Sequence, residues 1–152
     1  MLRDPPDAGK VEPVDGKVVI HKPVSGKHGE RQIVIAQALR TFATAHNFGK
    51  TTVESGFILA RNPDVVRAPD VAVIRDADLP GGELPEDGFV DGPPFLAVES
   101  VSRSDREKDI LEKVADYLDH GASRVWAVRA KTGSSDIYYA NGEVKLVPGT
   151  GS

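Results

Sequence analysis

Cysteine is absent from the 152 residues. Disulfides and thiolate metal sites are excluded with it. No apolar run reaches the ~18 residues of a membrane span, and the N-terminus carries no signal-peptide pattern. A cytoplasmic location, away from any membrane, is the expectation. An excess of positive charge is also lacking: 19 Lys and Arg stand against 23 Asp and Glu, a net charge of −4. That counts against broad phosphate binding by a basic surface and does not exclude a local basic patch. There is no glycine-rich phosphate loop, no nucleophile elbow and no internal repeat. The four histidines, His21, His28, His46 and His120, fall at no metal-ligand spacing and read as surface or cap residues.

What is present suits one globular domain, with 39% hydrophobic and 28% charged residues. Residues 1–9 hold Asp4, Pro5, Pro6 and Asp7 and read as a flexible N-terminal segment; residues 10–152 read as a single domain. KVEPVDGKVVIHK reads as two short strands around Asp15-Gly16. From Gly29 to Asn47, Ile35, Ala38, Leu39, Phe42 and Ala45 recur at helical spacing, with Gly49 placed as a C-terminal cap. TTVES and GFILA read as a strand pair, and DVAVI as a short apolar strand. Residues 75–94 are a long loop of Gly, Pro and acids. FLAVESV is a buried strand. A second helix follows, with Ser104 and Glu107 as a capping box and Gly121 at its end. SRVWAVRA is a strand, and a hairpin closes the chain around Asn141-Gly142. This order reads as an α/β or α+β domain with a mixed central sheet, an antiparallel hairpin in its middle, and flanking helices; the α/β class is the expectation.

Two acids break the pattern. Asp70 opens DVAVI and Glu99 closes the apolar part of FLAVESV, where central strands are normally continuous apolar runs. A buried carboxylate must be protonated, paired or metal-bound. If the strands are neighbours, both acids meet, and oxygen ligands of this kind suit Mg²⁺ or Mn²⁺. On the second helix Ile110, Leu111, Val114, Ala115, Tyr117 and Leu118 form an apolar arc, with Lys113 at its edge beside Tyr117. Each residue also has a plainer reading. Asp70 caps a turn, Glu99 is a solvated strand end, and Lys113 snorkels over the core. Glu30 is a favourable acid at a helix start, and Trp126 is a core residue.

VRAPDVAVI, LAVESVSRSD and EKVADYLDHGASRVWAV, in that order and spacing, resemble the Uma-two family of restriction-endonuclease-like proteins, in the PD-(D/E)XK nuclease superfamily. The likeness extends through VEPVDGKVV, HGERQ and GFILARNPDVVRAPD and covers Val11 to Pro148. It implies a restriction-endonuclease-like core, a Mg²⁺ or Mn²⁺ site, and phosphodiester hydrolysis of nucleic acid, with DNA the expected substrate. Asp70 falls on the family's motif aspartate, Glu99 on its second acid, and Lys113 on the lysine this family carries on the following helix. The backbone carbonyl of Ser100 would complete the metal ligands, and Glu30 is the accessory acid. A homodimer is expected, partly from the family and partly from Ile137, Tyr138, Tyr139 and Leu146 in the closing hairpin. There are departures. Val101 stands where the superfamily places its lysine. Pro94-Phe95-Leu96 replaces Pro-Asp-Leu and Ser102-Arg103-Ser104 replaces Ser-Pro-Ser, and a C-terminus shorter than is common in the family is the expectation from the resemblance. The alternative is a catalytically silent nucleic-acid-binding or regulatory protein on the same fold. A third reading, an interaction domain, requires Asp70 and Glu99 to lie apart.

Overall fold

The computed structural model describes residues 11–20 and 25–149. The segment 1–9 and His21 lie outside the described residues. Strands β1 (Val11–Val14) and β2 (Lys17–Ile20) pair antiparallel. Asp15 (φ 49°) and Gly16 (φ 77°) take the two left-handed positions that a two-residue hairpin turn requires.

Helix α1 (Gly26–Ala45) starts earlier than expected, because Ser25 caps it: the Ser25 side chain accepts from His28 N. Its end also differs. Asn47, at φ 49°, takes the left-handed position expected of Gly49. Gly49 instead opens β3 (Gly49–Val53), where a Cβ would run into the Ile74 carbonyl of the neighbouring strand.

The remaining elements are β4 (Phe57–Ala60), β5 (Val65–Arg67), β6 (Val71–Arg75), β7 (Val90–Asp91), β8 (Leu96–Val101), α2 (Glu107–Asp119), β9 (Arg124–Arg129), β10 (Ser135–Tyr139) and β11 (Val144–Val147). The mixed α/β architecture is as expected, but the strands divide between two sheets. One runs β2-β1-β5-β4-β7 and the other β11-β10-β9-β8-β6-β3. The expected pairing of β3 with β4 does not occur. The chain turns at Glu54 (φ 53°), so β3 pairs with β6 in one sheet and β4 with β5 in the other. The loop from Arg75 to Pro94 is ordered by two single-turn 3₁₀ segments and by β7, which pairs parallel with β4.

The expected capping box is absent. Arg106 is the N-cap of α2 and makes no side-chain cap bond. Asp105 accepts from Ser102 N, and Ser104 Oγ meets Ser102 Oγ, so the preceding residues form a tight turn instead.

Central strands β6 and β8 are covered on both faces. Val71, Val73, Leu96 and Val98 face α1, with Leu39, Phe48 and Trp126 beside them. Ala72, Ile74, Ala97 and Val101 face α2 and the smaller sheet, among Phe57, Val65, Ile110, Val114 and Tyr117. Leu111 and Ala115, expected in the core arc of α2, are exposed. No helix among the described residues is long and apolar enough to cross a membrane.

Candidate functional site

Strands β6 and β8 run antiparallel, with Val71 opposite Val98. One step outward the register sets Asp70 opposite Glu99, and opposed residues of such a ladder project to the same face. It is the face that Ala72, Ala97 and Val101 turn toward α2. Both acids are buried, Asp70 6% and Glu99 3% exposed. Ser100 N donates to Asp70 Oδ2 at 2.7 Å, which ties one acid to the strand bearing the other. The Tyr117 hydroxyl donates to Glu99 Oε1 at 2.8 Å. Lys113 Nζ stands 3.7 Å from Glu99 Oε2.

Lys113 and Tyr117 are four residues apart on α2, so they lie on one stripe of the helix and approach Glu99 together. The Lys113 side chain is largely buried, so its stem enters the site rather than covering the surface. Burial, then the charges of Glu99 and Glu12, hold the Tyr117 phenol well above its usual pKa, and it remains a donor across the neutral range. Val101, at the superfamily's lysine position, is a core residue.

The structure adds residues that sequence reasoning did not place here. His28 was expected as a surface or cap residue. Its Nε2 is buried, without a hydrogen-bond partner among the described residues, 3.5 Å from Asp70 Oδ1. The cue was Ser25: a cap there puts His28 in the first turn of α1, above the open end of β6. His46 and His120 do cap α1 and α2, as expected. Glu30 is exposed, and two residues from His28 it is turned about 200° round the helix axis. The structure therefore does not bring Glu30 to this cluster.

Behind the site lies a second buried polar group. Glu12, 1% exposed, accepts from Ala68 N and meets Arg67 Nη1 at 3.5 Å. Arg67 Nη2 reaches Asp116 at 2.9 Å. Burial works against the Arg67 cation, but Glu12 and Asp116 outweigh it and raise its pKa.

Among the described residues no three His, Cys, Asp or Glu side chains gather as a metal cluster. The donor set is two buried carboxylates on adjoining strands, each with one oxygen already held by a hydrogen bond. Few, hard, oxygen-only ligands fit Mg²⁺ or Mn²⁺, which fill the rest of their shell with water and phosphate; they do not fit a closed zinc site.

The model of the Uma2 family, described as "Putative restriction endonuclease", matches residues 2–151. The crystal structure of a "putative nuclease belonging to DUF820" from Anabaena variabilis aligns with a TM-score of 0.75 at 17% identity, covering 90% of this chain and 75% of that one. At that identity the likeness concerns the fold. No curated protein matches the chain. The fold is restriction-endonuclease-like, and with the family model spanning residues 2–151 the chain belongs to the Uma2 family.

Proposed function

We propose that the protein is a divalent-metal-dependent nuclease that hydrolyses phosphodiester bonds of nucleic acid, DNA being the expected substrate. The observation that supports it is the meeting of Asp70, Glu99 and Lys113 at one end of two central strands, each side chain largely buried. A fold places two carboxylates and a lysine there at a cost, and a cation with an anionic substrate accounts for that cost. Asp70, Glu99 and the backbone carbonyl of Ser100 would hold Mg²⁺ or Mn²⁺. Such an ion, when bound, supplies Lewis acidity toward a phosphoryl oxygen and toward water. Ser100 N holds Asp70 Oδ2 and the Tyr117 hydroxyl holds Glu99 Oε1, so both carboxylates are fixed in orientation at the site. Lys113 Nζ, beside Glu99 Oε2, orients the attacking water or offsets charge on the phosphate. The silent-scaffold reading draws on the net charge of −4 and on Ser102-Arg103-Ser104 in place of Ser-Pro-Ser.

The two readings separate on metal binding and turnover together. Calorimetric titration of Mn²⁺ into wild type and Asp70→Ala should show binding that the substitution removes. Equal binding by both proteins would sink the site. Cleavage by the wild type of at least one member of a DNA and RNA panel is expected with Mn²⁺. Metal binding without cleavage of any member would favour the silent scaffold.

A further inference from the structure

Tyr117 is fully buried, and among the described residues its hydroxyl has a single hydrogen-bond partner, Glu99 Oε1 at 2.8 Å. A glutamate side chain has three rotatable bonds, and its carboxylate can turn either oxygen outward. Ala97 and Val101 flank Glu99 on the same face of β8. The Tyr117 hydroxyl holds Oε1, and Oε2 is turned toward Lys113.

The turn of α2 that carries Tyr117 is itself anchored. Asp116, its neighbour, is gripped by Arg67 at 2.9 Å, and Arg67 is held from the other side by buried Glu12. Glu12 also accepts from Ala68 N, two residues before Asp70. One buried guanidinium thus links the segment leading into Asp70 with the helix presenting Lys113 and Tyr117. The phenol is held in place by charge as well as by packing.

We propose that Tyr117 is a positioning residue: its hydroxyl sets the Glu99 carboxylate so that Oε2 is presented for metal. This rests on the metal reading above. Removal of a partner that orients a metal ligand typically weakens metal affinity by about 10–100-fold.

The experiment titrates MnCl₂ alone into wild type, Tyr117→Phe and Ile110→Val, with a thermal midpoint for each. Tyr117→Phe keeps the ring and removes one hydroxyl. It should bind Mn²⁺ at least about tenfold more weakly than wild type. Ile110→Val trims a buried α2 side chain that is wholly apolar and can offer Glu99 no hydrogen bond. It should lower the midpoint and leave Mn²⁺ affinity unchanged. Wild-type affinity in Tyr117→Phe would overturn the proposal, as would an equal loss in Ile110→Val, which would mark the effect as general loosening of α2. No Mn²⁺ binding by the wild type would overturn the metal reading itself, and this proposal with it.

Discussion

A lysine placed 3.7 Å from a carboxylate oxygen and largely removed from solvent is either a structural counter-ion or a catalytic cation. Lys113→Met separates the two, because methionine keeps much of the apolar stem and discards the charge. A catalytic Lys113 predicts that Mn²⁺ affinity and folding stay near wild type while single-turnover cleavage falls by about 10²-fold or more, the scale of one lost transition-state contact. Unchanged cleavage would remove Lys113 from the chemistry. Asp70 and Glu99 stood out in the sequence because each interrupts an apolar pattern, and an interruption in a buried run demands a partner; Lys113 lay only at the edge of an apolar arc and was singled out by the family resemblance. Tyr117 was not legible as a polar residue. Periodicity counts it with Ile110 and Val114, and its hydroxyl carries no signal until Glu99 is placed opposite. Glu12 and Arg67 were illegible for another reason: they lie 55 positions apart, and nothing local in either strand names the other. His28 read as a surface or cap residue, since nothing local in the sequence sets its ring beside Asp70, 42 positions away.

Elements follow the same logic at longer range. Both helices and most strands were readable from apolar spacing, whereas their ends were decided by contacts between elements. The first turn of α2 is the clearest case. Glu107 was expected to fold back on its own N-cap, but its carboxylate instead makes a two-pronged contact with Arg129 of β9, at 2.7 and 3.1 Å. A guanidinium with that geometry competes well against a single backbone N–H. Arg129 also holds Asp136 of β10, so one side chain ties helix, central strand and hairpin. The hydrogen bonds from Arg129 lower the Glu107 pKa. A depressed carboxylate pKa contributes stability that is present above the unfolded value, about 4.3 for Glu, and is lost as pH falls through the folded value. Glu107→Gln should therefore show a shallower fall in thermal midpoint than wild type between about pH 5 and pH 3. At neutral pH the exposed pair is worth about 1 kcal/mol or less, or about 2–4 °C for a chain of this size. Parallel pH profiles for the two proteins would show that the pair contributes nothing to acid stability.

For the whole molecule, the split into two sheets was the feature least visible in the sequence. Alternation reports that a segment is extended and half-buried, not which partner it takes, so β3 and β4 read as a hairpin although each belongs to a different sheet. The same limit bears on assembly. Ile137, Tyr138 and Tyr139 were expected to offer an apolar surface. They lie on β10, inside the sheet, and are half-buried between β9 and β11. The exposed apolar residues of the hairpin belong to β11, where Val144 is 52% and Leu146 72% exposed. Among the described residues β11 is the last strand of the six-stranded sheet and pairs on one side only, and it carries a row of aliphatic side chains. Such an edge invites pairing with a second chain unless charge or proline guards it. Lys145 is the one charged residue within the strand, and the strand contains no proline. Two copies related by a twofold axis would pair β11 with β11 antiparallel and cover Leu146 from both sides. The expected outcome is a dimer by light scattering at high micromolar concentration. Leu146→Glu would place like charges across the axis and should give a monomer. Because Leu146 is largely exposed, the monomer should keep its fold, with a near-wild-type far-ultraviolet circular dichroism spectrum. A wild-type monomer at that concentration would count against the assembly, and a dimer that survives Leu146→Glu would move the interface elsewhere. The exposed outer face of α1, with Ile33, Val34 and Phe42, is the next place to look.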